Sequence, residues 1–198
     1  MTGPDRRPAR LHVATLHTPA GPFTLLFGDS GVAAAGFTAD PADLRRLLGP
    51  QRNAILHTVA DAGAVGAAIA AYFAGDLAAI DQVPVTAAGT AYQERAWAAL
   101  RSLQPGEPVT YAELAARTGS PAAPRAVGSA CGRNPTALVV PCHRVVRADG
   151  TLGGFLWGID VKRWLLDHER RHAGLQGCAP NFPPHPRESG RGLHSSGA

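Results

Sequence analysis

Alternating apolar and polar positions near the start of the chain predict three β-strands. Residues 11–18 alternate, and the turn signal at 19–22 separates them from a second apolar run at 23–27. A third run, residues 32–38, follows the turn signal at 28–31. Because short turns join the three runs, we expect an antiparallel meander.

Two helices and an extended segment are predicted next. Asp40-Pro41 begins the first helix, because aspartate is a favourable N-cap and proline fits the first turn; it runs to about Leu48. The second is rich in alanine, spans about 61–73 and has Gly75 just past its end. Residues 80–86 predict another strand or an extended crossing. No catalytic set of side chains stands out in this half, which we interpret as a scaffold.

Helical patterns dominate the second half of the chain. Thr90 is placed to cap one helix, and Thr110, with a glutamate three residues later, caps a short helix at 111–117. We expect Asp160 to cap a last helix that ends near His172.

A second short helix, from Ala122 or Pro124 to Cys131, forms a helix-turn-helix pattern with the helix before it. Arg125 stands at its start, and most of its other residues are small. This composition suits a helix in the minor groove of DNA better than one that reads bases in the major groove. An ordinary helical hairpin, packed through the same small residues, stays open as an alternative. The small residues are Ala126, Gly128, Ser129 and Ala130.

The segment Val139–Val146 carries the most reactive side chains. Its valines predict a buried strand that Pro141 interrupts, with Cys142 and His143 side by side. An imidazole with a carboxylate behind it can stabilise a cysteine thiolate, and Glu169 could supply that carboxylate. Neighbours on a regular strand point to opposite faces, so the pair meets only if the chain bends or a water bridges them. On local sequence alone, a hydrogen-bonded core histidine is the simpler interpretation.

The chain is basic, and its charge is unevenly distributed. The formal net charge is +4, with 45% hydrophobic and 17% charged residues. Residues 1–88 carry six basic and seven acidic side chains, whereas residues 110–147 carry five arginines and one glutamate. A local basic surface suits a polyanion such as nucleic acid, although a solvated arginine-rich face is equally open.

Cysteine usage and hydropathy indicate the compartment. Cys131, Cys142 and Cys178 show no disulfide-framework spacing, which favours a reducing environment. We see no signal peptide and no run of about 18 apolar residues, so we expect a cytoplasmic protein without a membrane span, or a nuclear one in a eukaryote. His168 and His172 lie one helical turn apart, but without convincing further ligands, and we predict no metal and no cofactor.

Six stretches of the second half form an ordered set. They are Gly89-Thr90-Ala91-Tyr92-Gln93-Glu94-Arg95-Ala96-Trp97, Thr110-Tyr111-Ala112-Glu113-Leu114, Arg125-Ala126-Val127-Gly128, Asn134-Pro135, Val139-Val140-Pro141-Cys142-His143-Arg144-Val145-Val146 and Trp164-Leu165-Leu166-Asp167-His168-Glu169. One stretch would be weak support, whereas the ordered set is specific. In this order the stretches resemble the O6-alkylguanine-DNA alkyltransferases, or methylated-DNA–protein-cysteine methyltransferases.

The resemblance implies catalytic roles. Cys142 would accept the alkyl group, mainly methyl, from O6 of guanine, irreversibly and once per protein; activity on O4 of thymine is left open. His143 would act as its base through a bound water, and Glu169 would orient His143. Tyr111 would donate a proton toward N3 of the departing guanine. Asn134 would tie the recognition helix to the active-site segment.

The resemblance also implies DNA contacts and a guanine pocket. Arg125, with Ala126 and Gly128 beside it, would fill the base stack after the damaged nucleotide is flipped out from the minor-groove side. Trp157 stands where many members have glycine, so we expect it to narrow the pocket and disfavour bulky adducts such as benzyl. Phe155 replaces a tyrosine of many members, with little expected effect. The pocket residues implied are Val145, Phe155, Leu156 and Trp157.

The fold implied is α/β + α. Residues 10–85 would form a small ribonuclease-H-like α/β domain, and residues 88–173 a mostly helical, winged-helix-like domain with the helix-turn-helix and the active site. Residues 1–9 and 174–198 are predicted to be disordered. The partner would be double-stranded DNA containing O6-alkylguanine, bound by a monomer. A non-catalytic helix-turn-helix lesion sensor or transcription regulator is the alternative; this alternative, a metal site at the histidine pair and a cysteine hydrolase all rank below alkyl transfer.

Overall fold

A four-stranded sheet forms the first part of the structure, a computed structural model that describes residues 9–174. Strands β1 (Arg10–Thr18), β2 (Gly21–Gly28) and β3 (Gly31–Gly36) form the predicted antiparallel meander. A further strand, β4 (Ile55–Thr58), pairs in parallel with β1 and gives the order β3-β2-β1-β4. The sequence did not predict β4, because this short edge strand is largely exposed and lacks a clear apolar alternation.

Two helices follow the meander, as predicted. The carboxylate of Asp40 accepts a hydrogen bond from the backbone of Ala42 and so caps α1 (Pro41–Arg45), which ends earlier than expected. Helix α2 (Gly63–Ala74) ends at Gly75, whose φ of 111° suits glycine. The segment predicted to be extended at 80–86 is helical in its first residues, a 3-10 turn at Ala79–Gln82, and extended only beyond it.

The outer edge of β3 is where the two halves of the chain join. Val32 donates a backbone hydrogen bond to Pro84 and accepts one from Thr86, both 2.9 Å long. Further along the strand, Ala35 donates to Pro135 at 2.8 Å and accepts from Ala137 at 3.0 Å. These bonds fix the chain a few residues before Cys142 to the sheet, so the sheet positions the reactive segment.

Helices dominate the second half. Thr90 and Thr110 cap their helices as predicted, Thr110 in the expected capping box with Glu113, and Thr90 in a further capping box with Gln93. The prediction that Asp160 caps the last helix is wrong: the cap is Gly158, and Asp160 lies in the first turn. Within residues 9–174, no helix combines the length and apolar character needed to cross a lipid bilayer. The elements are α3 (Ala91–Arg101), β5 (Val109–Thr110), α4 (Tyr111–Arg117), α5 (Pro124–Gly132), β6 (Val145–Val146) and α6 (Ile159–His172).

The segment around Cys142 is buried as predicted, but the expected strand is wrong. Residues 134–146 are all buried, so they show no in-and-out alternation. The backbone of Val140 donates to Thr136, and Leu138 has a φ of 70°, which marks a turn. A 3-10 turn at Cys142–Arg144 follows, and only β6 pairs as a strand, in parallel with β5. Local turns therefore replace the sheet ladder and supply the bend that the Cys-His pair requires.

Two large buried clusters surround this segment. One contains Phe23 and Tyr72 from the first half together with Leu138 from the second. The other contains Trp97 and Cys142 within the helices of the second half. The division into domains at 10–85 and 88–173 stays a prediction. The segments predicted to be disordered, apart from their innermost residues, and Cys178 lie outside the described residues.

Candidate active site

The sulfur of Cys142 is held by a side-chain amide. Asn134 Nδ2 donates to Cys142 Sγ at 3.2 Å and to the carbonyl of Val140 at 2.7 Å. The other amide atom, Oδ1, accepts from the backbone N–H of Thr136 at 3.1 Å, which fixes the orientation of the amide. Asn134 therefore connects the end of α5 to the Cys142 turn and also places a hydrogen-bond donor on the Cys142 sulfur.

Burial raises the pKa of the Cys142 thiol, because the thiolate is poorly solvated there. The hydrogen bond from Asn134 and the charge of Lys162 act in the opposite direction but do not cancel the effect of burial. The resting side chain is consequently a thiol, which becomes a nucleophile only when a base removes its proton.

His143 forms a buried pair with Glu169. Its Nε2 lies 2.8 Å from Glu169 Oε1, and neither side chain is exposed. Since the carboxylate can only accept, we assign the proton to Nε2, which leaves a lone pair on Nδ1. Within residues 9–174, Nδ1 is the buried side-chain nitrogen without a hydrogen-bond partner. Burial lowers the pKa of His143, opposed by Glu169, so the ring is a neutral base at rest.

Glu169 is held by donors from three parts of the fold. Arg144 Nη2 donates to Oε1 at 2.8 Å and its Nε to Oε2 at 3.0 Å, while its Nη1 donates to the carbonyl of Leu103 at 2.6 Å. The hydroxyl of Tyr72 donates to Oε1 at 2.9 Å, and the backbone N–H of Gly106 to Oε2 at 3.1 Å. A carboxylate with this many donors is fixed in position and charge.

The ionised form of Glu169 prevails despite its burial. Burial pushes the pKa of this carboxyl upward, but the hydrogen bond from His143, together with the positive charge and hydrogen bonds of Arg144, outweighs it. The pKa therefore lies well below its usual range. Glu169 can thus keep His143 oriented at every pH at which the protein is folded and the carboxyl is ionised.

Lys162 is a second buried cation, and it has carbonyl partners. Its Nζ donates to the carbonyl of Val145 at 2.6 Å, to that of Leu152, and to that of Gly154 at 3.4 Å. Burial lowers the pKa of Lys162 to about 8. The lysine ties the loop after β6 to α6, and this loop provides one wall of the cavity beside Cys142.

That cavity has a volume of about 300 Å³. Tyr111 lies on its wall, and burial raises the pKa of the phenol, which therefore stays protonated. Of the predicted pocket residues, Phe155 and Leu156 lie at this cavity, whereas Val145 and Trp157 do not. The lining residues are Tyr111, Gly128, Cys131, Gly132, Cys142, Gly154, Phe155 and Leu156.

The expectation that Trp157 narrows this cavity is corrected by its position. The indole packs against Gly36 of β3, where a Cβ would overlap the ring. It lines a separate cavity of about 390 Å³ that also contacts α1. The reason is the missing side chain at Gly36, which opens a site for the indole on the sheet that sequence reasoning could not foresee. Leu156 lies at both cavities.

Helix α5 covers the cavity and presents a basic outer face. Arg125, Ser129 and Arg133 are exposed at helical spacing, while Gly128 lines the cavity and Ala126 is half-buried. The exposed arginines lie at either end of the helix, which suits contacts with phosphates. The predicted basic surface is corrected at one position: Arg144 is buried and belongs to the Glu169 site. Exposed arginines of this region are Arg117, Arg125, Arg133 and Arg147.

The two histidines one turn apart on α6 each contact a backbone carbonyl through a ring nitrogen. His168 Nε2 lies 2.9 Å from the carbonyl of Tyr72, and His172 Nδ1 lies 2.9 Å from the carbonyl of His168. In the part of the chain that the structure describes, no group of three or more histidine, cysteine, aspartate or glutamate side chains is arranged to hold a metal ion.

Three site residues were missed by sequence reasoning. The sequence analysis assigns Arg144 to the basic surface, although its position beside Cys142 and His143 in an apolar segment indicates burial. Lys162, the lone lysine of the chain, lies at helical spacing from Leu165 and Leu166, and this spacing was the available signal of its burial. Tyr72 lies in the part interpreted as a scaffold, and its contact with Glu169 spans 97 residues of sequence.

Comparison with known proteins gives consistent matches. The family described as "6-O-methylguanine DNA methyltransferase, DNA binding domain" matches residues 91–171. A methylated-DNA--protein-cysteine methyltransferase of Mycobacterium tuberculosis is 40% identical over 166 residues, 82% of this chain and 94% of that protein. The one from Salmonella typhimurium is 48% identical over 107 residues, 54% of this chain. That match spans 63% of the Salmonella protein, somewhat less than two thirds of its length.

Solved structures give the same result. The crystal structure of Mycobacterium tuberculosis O6-methylguanine methyltransferase superposes with a TM-score of 0.66 at 36% identity, over 82% of this chain and 94% of that one. The Mycobacterium tuberculosis OGT in complex with DNA matches with the same TM-score, at 35% identity, over 81% of this chain and 94% of that one. The O6-methylguanine-DNA methyltransferase of Pyrococcus kodakaraensis matches at 0.62 and 27% identity, over 80% and 98% of the two chains.

Proposed function

Because this chain belongs to the methylated-DNA–protein-cysteine methyltransferase family, we propose that it repairs O6-alkylguanine in double-stranded DNA by transferring the alkyl group to Cys142. One observation carries the proposal. Cys142 lines a cavity beneath α5, and its sulfur accepts a hydrogen bond from Asn134. The same turn carries His143, whose Nδ1 has no hydrogen-bond partner among the described residues. This arrangement supports the roles of nucleophile for Cys142 and base for His143, beside a cavity for the target.

The transfer is a single displacement at carbon. His143 Nδ1 takes the thiol proton, through a water in the gap, and Glu169 stabilises the imidazolium that results. The sulfur of Cys142 forms a bond to the alkyl carbon as the bond from that carbon to O6 breaks, and the electron pair passes to the guanine. Restored guanine takes up a proton in place of the alkyl group. The thioether has no route back, so each protein reacts once.

Tyr111 and Asn134 assist the transfer at different atoms. The phenol of Tyr111 is protonated and lies on the cavity wall, where it donates to N3 of the departing guanine and makes it a better leaving group. The amide of Asn134 stabilises the thiolate as the charge on sulfur develops. The nearby Lys162 adds a positive charge that favours the same state.

Recognition uses α5 and requires the damaged base to leave the stack. A cysteine in a buried turn cannot reach O6 within the duplex, so the nucleotide is flipped into the cavity from the minor-groove side. Arg125 enters the vacated stack, with Ala126 and Gly128 allowing close approach of the helix. The protein acts as a monomer in the cytoplasm, with a ribonuclease-H-like first domain and a winged-helix-like second one. The same cavity would take O4-alkylthymine as a secondary substrate.

Mass spectrometry of the protein tests this function. Incubation with duplex DNA containing O6-methylguanine is expected to add one methyl to the peptide that contains Cys142, saturating at one per protein. Cys142→Ala is the control and should gain none there. Cys131→Ala tests the second thiol at the cavity, and should still gain one methyl. Lesion binding by the unaltered protein without any methyl gain would instead favour the non-catalytic lesion sensor.

A further inference from the structure

Tyr72 shares its acceptor with the base of the active site. Its hydroxyl donates to Glu169 Oε1 at 2.9 Å, and His143 Nε2 lies 2.8 Å from the same oxygen. Tyr72 is fully buried on α2, in the half of the chain that holds no residue of the cavity beside Cys142. Burial, followed by the charge of Glu169, raises the pKa of the phenol well above its usual value, so the hydroxyl remains a donor.

We propose that Tyr72 is a positioning residue of the alkyl transfer, which sets the basicity of His143 by competing with it for Glu169 Oε1. The inference rests on the proposed function, in which His143 receives the thiol proton. A hydrogen bond from the phenol withdraws negative charge from the oxygen that stabilises the imidazolium. Tyr72 therefore makes His143 a weaker base than the pair with Glu169 would give alone.

The charged groups around His143 allow this effect to be isolated. Glu169 is the anion that faces the ring, and Arg144 and Lys162 are the cations that oppose protonation. The thiol of Cys142 neighbours the ring on its own turn, and Tyr72 is the neutral donor from α2. Removing the hydroxyl alone leaves every formal charge in place. Any change in the titration of His143 then reports the strength of its bond with Glu169.

The main variant is Tyr72→Phe, which keeps the ring that packs edge-on against Phe73. Without the competing donor, Oε1 stabilises the imidazolium more strongly and the pKa of His143 rises. Loss of this hydrogen bond from a neutral donor is expected to raise the pKa of His143 by roughly 0.5–1 unit. The matched control is Tyr92→Phe, which removes a hydroxyl that lies 3.4 Å from that of Thr118 rather than at Glu169, and which should leave the pKa of His143 unchanged.

Nitrogen NMR of His143 in the unreacted protein provides the readout. A pH titration of the labelled ring should give a higher pKa in Tyr72→Phe than in the unaltered protein. Replacing residue 72 with 3-fluorotyrosine, a stronger donor, should move the pKa in the opposite direction. If Tyr72 only supports the fold, the two variants are not expected to shift the pKa of His143 in opposite directions. An unchanged titration in both variants, or a shift of the same sign in both, would overturn the proposal.

The rate of methyl transfer should depend on pH in a way that follows the pKa of His143. Because the Cys142 thiol is a weaker acid than the protonated His143, the fall of the rate at low pH reports protonation of His143. In Tyr72→Phe this fall should move to higher pH by the shift measured by NMR, and a uniform loss of rate at all pH values would contradict it. If the unaltered protein transfers no methyl, the proposed function fails, and the NMR titration still decides the effect of Tyr72 on His143. If Tyr72→Phe does not fold, the fluorotyrosine variant decides it.

Discussion

Arg144 offers the sharpest test of how the site is held together. Its guanidinium is 1% exposed and binds Glu169 through Nε and Nη2, while its third nitrogen, Nη1, donates to the carbonyl of Leu103. Replacing it in Arg144→Met keeps much of the aliphatic volume but removes the cation. The carboxylate of Glu169 then stays buried with only His143, Tyr72 and a backbone N–H as donors.

The expected cost is large. Removing one partner of a buried ion pair destabilises a protein by about 3–5 kcal/mol, because the other charge is left uncompensated. At 150–250 residues, 1 kcal/mol corresponds to roughly 2–4 °C in Tm, so Arg144→Met should lower Tm by about 6–20 °C. That loss is a substantial part of a total stability of about 5–15 kcal/mol.

Circular dichroism during thermal and urea unfolding measures the loss. The matched control is Arg46→Met, whose guanidinium also binds a carboxylate, that of Asp43 at 2.6 Å, but is 75% exposed. An exposed pair contributes about 0–1 kcal/mol, so this variant should unfold close to the unaltered protein. Equal, small losses for the two variants would refute the idea that burial and the shared carboxylate make Arg144 important.

Three further outcomes are expected. The pKa of Glu169 in the folded state lies below its unfolded value of about 4.3, so the contribution of this carboxylate to stability is complete above that pH and is lost as the pH falls below it. Urea unfolding should therefore show a steep fall in the free energy of unfolding below about pH 4. A flat profile there would contradict the stabilising role of the ionised Glu169. Asn134→Ala should slow methyl transfer by roughly 10–100-fold through loss of the donor on Cys142 Sγ, measured by single-turnover kinetics, and an unchanged rate would show that this contact does not stabilise the thiolate. Trp157→Ala should lower Tm, because the indole no longer packs on Gly36, but should leave the ratio of methyl to benzyl transfer rates unchanged. A faster transfer of benzyl alone would indicate that Trp157 limits the size of the guanine cavity.

Elements with local signals were predictable from the sequence. The meander of β1, β2 and β3 follows from alternation and turn residues, and the starts of α3 and α4 follow from Thr90 and Thr110 with their capping partners. The short exposed strand β4 was not predicted, because it depends on pairing with β1 rather than on its own pattern. The strand expected around Cys142 was wrong for a related reason. Burial on all sides removes the alternation, and hydrogen bonds to β3 and within local turns decide the path.

The chemistry divides in the same way. The local sequence drew attention to Cys142 beside His143, because two reactive side chains in an apolar segment are a local feature, and it offered Glu169 as a carboxylate. Their roles in alkyl transfer came from the family resemblance and stay a prediction. Tertiary structure alone decided what holds Glu169: Arg144 turns inward, and Tyr72 arrives from 97 residues away. It also decided that Trp157 packs on the sheet. The physical reason is common to these cases: burial and long-range contacts set the charge and direction of a side chain, and neither is encoded by the residues next to it.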